Sequence, residues 1–451
     1  MSKPTVNLTQ SAAGVRCAAV SDVGMRRSSN QDSLAVSLAE DDRVSRGRGH
    51  LFVVADGMGA HAAGELASQI ATDAIPHAYH KRRDLPPWAS IVAAVEDANG
   101  RIYAKGQNSV DFHGMGTTCS CLLLLPDGAI AAHVGDSRVY RLRGTTIEQL
   151  TFDHSLVWEM AAAGHASEDE VPAYVPKNVI TRSLGPHPTV KVDVEGPLPV
   201  KPGDRFLLCS DGLTGPLNPK LIGMVLVSLP PEEAAQTLVD LANLLGGPDN
   251  ITAIVAEVGN ANGAREKRNG AADDTTFAQG SSNPGFPELG SDGLLLLLGE
   301  IVSAVGLGWG IAVNNTALAA CSGVLGPVVF LVWLFVRMNR SKAADGNSMG
   351  RPAGAFGKGP YRKYAVEPSA ENIEMLSDIV RQLEDLEDQK TWPFDWREIH
   401  EDRGRALRAI GAGDFSAAVV AYSSAVRRLM QAVRDTRNVP GSGSGINLGR
   451  E

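Results

Sequence analysis

Nothing constrains the architecture of this chain as much as residues 294–336, an apolar block interrupted at Asn314-Asn315-Thr316 into two runs of 20 residues, 294–313 and 317–336. A helix rises about 1.5 Å per residue, so each run has the ~30 Å length of a bilayer core. The second run carries no charge. Phe330, Trp333 and Phe335 stand near its end and Arg337, Arg340 and Lys342 follow, the order of an interfacial belt and a positive cytoplasmic flank. The first run holds Glu300 toward one end, and Gly306-x-x-x-Gly310 would let two helices approach closely. The expectation is a transmembrane hairpin that returns the chain to its starting side. The alternative is one span plus a buried or interfacial helix.

The rest of the chain divides around this block. Short β-like runs at 51–55, 119–125, 130–134, 205–209 and 251–258 alternate with turns and helical stretches, giving a mixed domain over residues 1–258. Asp127-Gly128 between two of these runs reads as an antiparallel hairpin. Residues 259–293 have the Gly, Asn, Ser, Asp and Pro mixture of a disordered linker, and 337–368, rich in Gly, Lys and Ala, read as a second one. Residues 369–437 form a small helical domain, with Ile373, Leu376, Ile379, Val380 and Leu383 at helical spacing, followed by a disordered tail at 438–451. Residues 405–426 resemble one tetratricopeptide-like hairpin, although an ordinary αα-hairpin fits equally well, since such repeats need about three copies for stability.

Composition excludes some functions. The chain has 51 acidic and 42 basic residues, a net charge of −9 spread along its length, which argues against a nucleic-acid binder. Its five cysteines lack zinc-type or paired spacing and read as reduced, buried thiols. The first fourteen residues are polar, so no secretory leader is expected there.

The chemistry resides in aspartates at strand ends. Asp56 ends the run 51–55, Asp211 follows 206–210, and Asp249 precedes 251–255. Carboxylates and carbonyls are hard ligands suited to Mn2+ or Mg2+, and no His or Cys cluster competes for a softer ion. Two such ions can activate a shared water and clamp a phosphoryl group, and a bridging carboxylate is needed at their junction, for which Asp56 is the candidate.

Seven motifs then occur in order: Ser21-Asp-Val-Gly-Met-Arg-Arg-Ser-Ser-Asn-Gln-Asp-Ser33, Val54-Ala-Asp-Gly-Met-Gly-Ala-His-Ala-Ala-Gly-Glu65, Gly114-Met-Gly-Thr-Thr118, Gly135-Asp-Ser-Arg138, Asn178-Val-Ile-Thr-Arg-Ser-Leu-Gly185, Cys209-Ser-Asp-Gly-Leu213 and Asp249-Asn-Ile-Thr252. Over residues 15–258 they resemble the bacterial branch of the type 2C metal-dependent serine/threonine protein phosphatases. The resemblance implies an α+β fold, a four-layer α-β-β-α sandwich of two antiparallel sheets with its metals at one end. It implies that Asp56 bridges two ions, that the Gly57 carbonyl binds one, that Asp211 and Asp249 bind the other, and that Asp32 holds metal-bound water. Arg27 would grip the substrate phosphate with its planar fork, and His61 would protonate the departing serine or threonine oxygen.

Asp136 would serve a third, weaker metal. The usual second aspartate for that ion is replaced by Gly215, so the third site is expected to be weak or missing. Gln31 stands where many relatives carry glutamate. Residues 155–177 resemble a mobile flap over the substrate. The expected protein is a membrane-anchored enzyme, its catalytic domain on the cytoplasmic side of the inner membrane, acting on phosphorylated proteins and opposing a bacterial serine/threonine kinase. The competing reading is a pseudophosphatase or membrane scaffold that binds phosphoproteins without turnover.

Overall fold

The computed structural model describes residues 6–40, 42–59, 62–126, 128–163, 179–259, 356–387 and 395–437. All of them belong to one compact unit made of Met1–Gly270 and Ala355–Glu451. The other unit, Ala271–Gly354, lies outside the described residues, and with it the two apolar runs. No helix among the described residues is long and apolar enough to cross a membrane.

Two antiparallel sheets are built from strands of which the central ones, such as residues 119–125 and 128–134, are buried on both faces. In chain order the strands are β1 (Val6–Ala12), β2 (Val15–Asp22), β3 (Asp32–Ser37), β4 (His50–Met58), β5 (Gly116–Thr117), β6 (Cys119–Leu125), β7 (Gly128–Val134), β8 (Arg138–Arg143), β9 (Thr146–Gln149), β10 (Asp193–Leu198), β11 (Arg205–Cys209), β12 (Ile251–Val258) and β13 (Arg362–Ala365). One sheet has the order β1-β2-β12-β11-β8-β9-β13; the other runs β10-β7-β6-β4-β3, with β5 on β4. The period of two is visible in β12, where Ile254 and Ala256 enter the core between the sheets while Ala253 and Val255 face the opposite way into a helical layer. Both sets are fully buried, which is why this strand reads as a continuous apolar run.

Helices cover the outer faces. A helix over Asp42–Arg48 (α1) precedes β4. Helices α2 (Ala63–Lys81) and α3 (Pro87–Gln107) lie on the sheet containing β4, with Ala67, Ala71, Ile75, Val95 and Ile102 packed against Val53, Cys121 and Ala132. Between β9 and β12 come α4 (Leu156–Ala162), α5 (Asp211–Thr214), α6 (Pro219–Ser228) and α7 (Pro231–Leu244). The last two lie on the other sheet, through Leu221, Val225, Leu238 and Leu241 against Val20, Leu207 and Val255. The expected α-β-β-α layering is therefore present. Cys17, Cys119, Cys121 and Cys209 are buried free thiols.

The C-terminal part alters that plan. Helices α8 (Ala370–Glu387), α9 (Arg397–Gly411) and α10 (Phe415–Arg437) share one apolar cluster with α6 and α7, with Leu376, Tyr422, Val426 and Met430 fully buried in it. The α9–α10 turn is closed by Gly413 at φ +76° and by Asp414, whose carboxylate accepts from the Ala417 N–H. One such hairpin is present among the described residues.

The expectation of a linker over 337–368 is corrected for its last part, the earlier residues lying outside the described set. Residues 356–366 bridge the edges of the two sheets. Phe356 pairs with Gly196 within β10, β13 pairs with β9, and Val366 is buried against α6. An edge strand takes its hydrogen bonds from a sheet that already exists, so it needs no apolar run of its own. Composition alone therefore reads it as linker.

Candidate metal centre

Strand register brings the carboxylates together. Asp32 at the start of β3 stands directly opposite Asp56 near the end of β4. In the facing sheet β11 pairs with β12, so Asp211, just after β11, and Asp249, just before β12, meet at the same end. Asp136 lies in the turn from β7 to β8. That turn is tied to β4 through Thr118, whose hydroxyl accepts from the Asp56 N–H at 2.9 Å and is hydrogen-bonded to Ser137 Oγ at 2.7 Å. Close backbone approach is possible because two positions lack a side chain. A Cβ on Gly57 would sit 2.1 Å from the Gly64 carbonyl oxygen, and one on Gly212 would sit 2.0 Å from that of Asn250.

Hydrogen bonding leaves acid oxygens over. Asp32 is 2% exposed; its Oδ2 accepts from Ser210 Oγ at 2.8 Å and Thr252 Oγ1 at 2.7 Å, while its Oδ1 has no partner. Asp136 Oδ1 and Asp211 Oδ1 are likewise buried and unpartnered. Such orphans are uncommon in folded proteins and call for a cause. Burial, reinforced by Asp211 and Asp249, raises Asp32 to about 7 against the two hydroxyl donors. Burial, with Asp211 and Asp153 nearby, raises Asp136 to about 8. Asp56 rises through burial and the charge of Asp32, and Asp211 through burial and that of Asp249.

These residues fit hard divalent cations. The donors are all oxygen, the carboxylates repel one another, and three of them hold an acceptor with no donor in reach. No three His, Cys, Asp or Glu side chains among the described residues close on a single point. An ion here would take one or two carboxylates and complete its shell with carbonyl and water, as Mg2+ and Mn2+ commonly do.

Arg27 stands at the mouth, half exposed, its Nη2 donating to Asp249 Oδ2 at 2.7 Å. Its loop is fastened to the Asp249 loop. Asn250 donates to the carbonyls of Val23 and Ser29 and accepts from the Gln31 N–H, while the N–H groups of Met25 and Arg26 donate to Gly247. The phosphate-gripping candidate and a metal-ligand candidate are thus one rigid pair of loops. His61 and most of the flap-like segment, residues 164–177, lie outside the described residues. Gly215 is exposed at φ −64° and lines the same cleft as Asp136 and Asp211, with no carboxylate of its own to offer.

Sequence reasoning passed over the other cleft residues. Arg138, Asp153 and Trp158 line a cavity of about 450 Å³ with Asp136, Asp211 and Asp249. Arg138 pairs with Asp153 at 2.7 Å and donates to Tyr140 Oη at 3.0 Å. His133 and His154 bracket Gly135, the residue before Asp136: the Gly135 carbonyl lies 2.8 Å from His133 Nε2, and its N–H donates to His154 Nδ1 at 2.9 Å. Burial, with His154 adjacent, lowers His133 to about 3, so its ring is neutral at physiological pH. Arg138 lies inside one of the seven motifs and could have been found; Trp158 lies in none.

Residues 25–246 match the family model described as protein phosphatase 2C. Protein phosphatase PhpP of Streptococcus pneumoniae serotype 2 is 36% identical over 239 residues, covering 52% of this chain and 93% of PhpP. Serine/threonine protein phosphatase PstP of Mycobacterium tuberculosis is 36% identical over 247 residues, covering 54% of this chain and 45% of PstP. The solved catalytic domain of PstP in complex with two manganese ions is 35% identical and covers 55% of this chain and 99% of that one, at a TM-score of 0.46.

Proposed function

The chain belongs to the protein phosphatase 2C family of protein serine/threonine phosphatases, and from that premise we propose that it hydrolyses phosphoserine and phosphothreonine in proteins at the cytoplasmic face of a membrane. Asp56, Asp32, Asp211, Asp249 and the Gly57 carbonyl are the candidate holders of two Mn2+ or Mg2+ ions. Such a pair supplies Lewis-acid activation of water and neutralises phosphoryl charge. Arg27 meets the phosphate oxygens with its guanidinium, releasing Asp249 as it does so. His61, placed by sequence between β4 and α2, returns a proton to the departing oxygen. Asp136 without a carboxylate at 215 leaves a third ion weakly held.

The observation carrying this reading is the set of unpartnered carboxylate oxygens of Asp32, Asp136 and Asp211 at one end of the sandwich. A scaffold that binds without turnover would be marked by a missing ligand, and all four principal aspartates are present. The test is turnover of a phosphothreonine peptide with added Mn2+ or Mg2+ against the same assay in chelator. Activity that survives chelation would refute the reading.

If the apolar block is in a membrane, connectivity bears on the number of spans. The chain on both sides of the apolar block belongs to one compact unit, joined by β13 on β9 and by the core shared between α7 and α10. A chain that leaves one body and returns to it crosses a bilayer an even number of times. That favours the hairpin of 294–313 and 317–336 over a single span. Tags at the two termini should be accessible from the same side of membrane vesicles, and access from opposite sides would exclude it. A serine/threonine kinase of the same cell is the partner whose products this enzyme would reverse.

A further inference from the structure

The segment after the apolar block packs against Trp158, a residue that lines the catalytic cleft. Tyr361 donates from its hydroxyl to Glu195 Oε1 at 2.5 Å, and the Gly359 N–H donates to Glu195 Oε2 at 2.8 Å, anchoring the segment on β10. The Tyr361 ring meets Phe152 edge-on with centroids 5.4 Å apart, and Phe152 meets Trp158 edge-on at 5.3 Å. The next residue, Arg362, lays its guanidinium over the Trp158 ring, 3.9 Å from the centroid, with the Arg138 guanidinium 5.7 Å from it. Trp158 lines the same cleft as Asp136, Asp211, Gly215 and Asp249.

Trp158 is held there against a cost. It is 5% exposed and its buried Nε1–H has no hydrogen-bond partner, which costs free energy. The arginine over its face and the Phe152 ring against it keep the indole where it forms the cleft wall. A substrate whose phosphorylated residue reaches the aspartates must run its flanking residues past that wall.

We propose that Arg362 is a positioning residue for substrate recognition: by clamping Trp158 it ties the segment following the apolar block to one wall of the cleft and sets how tightly a phosphorylated peptide is held. This rests on the phosphatase reading above. Tyr361 and Arg362 lie outside the residues that the family model matches, 25–246, while Phe152 and Trp158 lie within them. The clamp couples occupancy of the cleft to the docking of residues 356–366 on the two sheet edges.

The experiment uses the full chain with Mn2+ and compares wild type with Arg362→Ala, Arg362→Lys and, on the same strand, Lys363→Ala, whose exposed ammonium pairs with the buried Glu148 rather than with Trp158. Loss of a cation stacked on an indole should raise KM for a phosphothreonine peptide roughly threefold to thirtyfold with kcat little changed. Arg362→Lys should recover part of that loss, and Lys363→Ala should keep the wild-type KM. An unchanged KM in Arg362→Ala overturns the proposal. So does a fall in kcat and thermal stability shared by Arg362→Ala and Lys363→Ala, the mark of a strand that only holds the sheet. Wild-type turnover of p-nitrophenyl phosphate is the separate control: its absence would sink the phosphatase reading itself.

Discussion

Two clusters of buried carboxylates among the described residues have different surroundings. At the helical interface, Asp402 is 1% exposed and held by Arg405 and Arg428, and Asp240 is fully buried beside Arg434 and Gln236. At the sandwich end, Asp32, Asp56, Asp136 and Asp211 mainly face one another. Asp240, despite its arginine, is pushed by burial to about 6, whereas Asp32 and Asp136 reach about 7 and 8. Burial of an acid is therefore no sign of function by itself. The sign is burial in which the nearby cations, Arg138 and Arg27, offset the crowding of the acids only in part, an arrangement that destabilises the fold unless a further cation arrives from outside.

The sharpest way to break this contrast is to delete one acid from each region. Asp211→Ala or Asp56→Ala should reduce turnover to the background of the assay, while the melting temperature in chelator stays level or rises, because a repulsion has been removed. A melting temperature that falls would place these acids with the structural pairs. Arg434→Ala should do the opposite. It leaves Asp240 buried without its cation, which costs about 3 kcal/mol in a denaturant titration, while activity per folded molecule is retained.

Acidity sharpens the same contrast. A carboxyl whose folded pKa lies above its unfolded value near 4 binds its proton more tightly when folded, so its contribution is full below that value and is lost as pH rises through the folded one. In chelator, stability should decline from about pH 4, first through the Asp240 range near 6 and then through the Asp32 and Asp136 range near 7 and 8. With saturating Mn2+ the decline above pH 6 should disappear and the Asp240 part should remain. Thermal melts at each pH with and without metal measure this, and identical profiles would show that the cluster binds no ion.

The smallest expected effect belongs to the weakened third position. Gly215 has helical backbone angles, and a Cβ added there would meet only the Asp211 carbonyl oxygen, at 3.2 Å, so Gly215→Asp should be accommodated. One added carboxylate should lower the Mn2+ concentration for half-saturation of that site by about tenfold, or ~1.4 kcal/mol. No change in occupancy or turnover would mean that Gly215 is not what limits it.

Much of the sandwich was legible because its strands are local apolar runs bounded by turns, as at 119–125 and 251–258. The metal candidates were legible because each ends or begins such a run. What sequence could not supply is pairing at a distance. Ser210 and Thr252 stand in two of the seven motifs, yet their hydroxyls converge on Asp32 only once β11 and β12 are paired. Trp158 belongs to the cleft because Phe152, Tyr361 and Arg362 hold it there, and two of those three come from a stretch whose composition is that of a linker. Asp402 and Asp240 carry no local signal that separates them from surface acids.

The pairing of β13 with β9 also dictates an order of events in time. Lys363 faces Glu148 across that ladder, so during synthesis β9 waits as an open edge while the whole intervening chain, apolar runs included, emerges from the ribosome. Open edges are where chains stick to their neighbours, and contacts so remote in sequence form slowly. The final strand acts as a latch, and a nascent chain stalled before residue 362 would present its sheet to the cell unfinished.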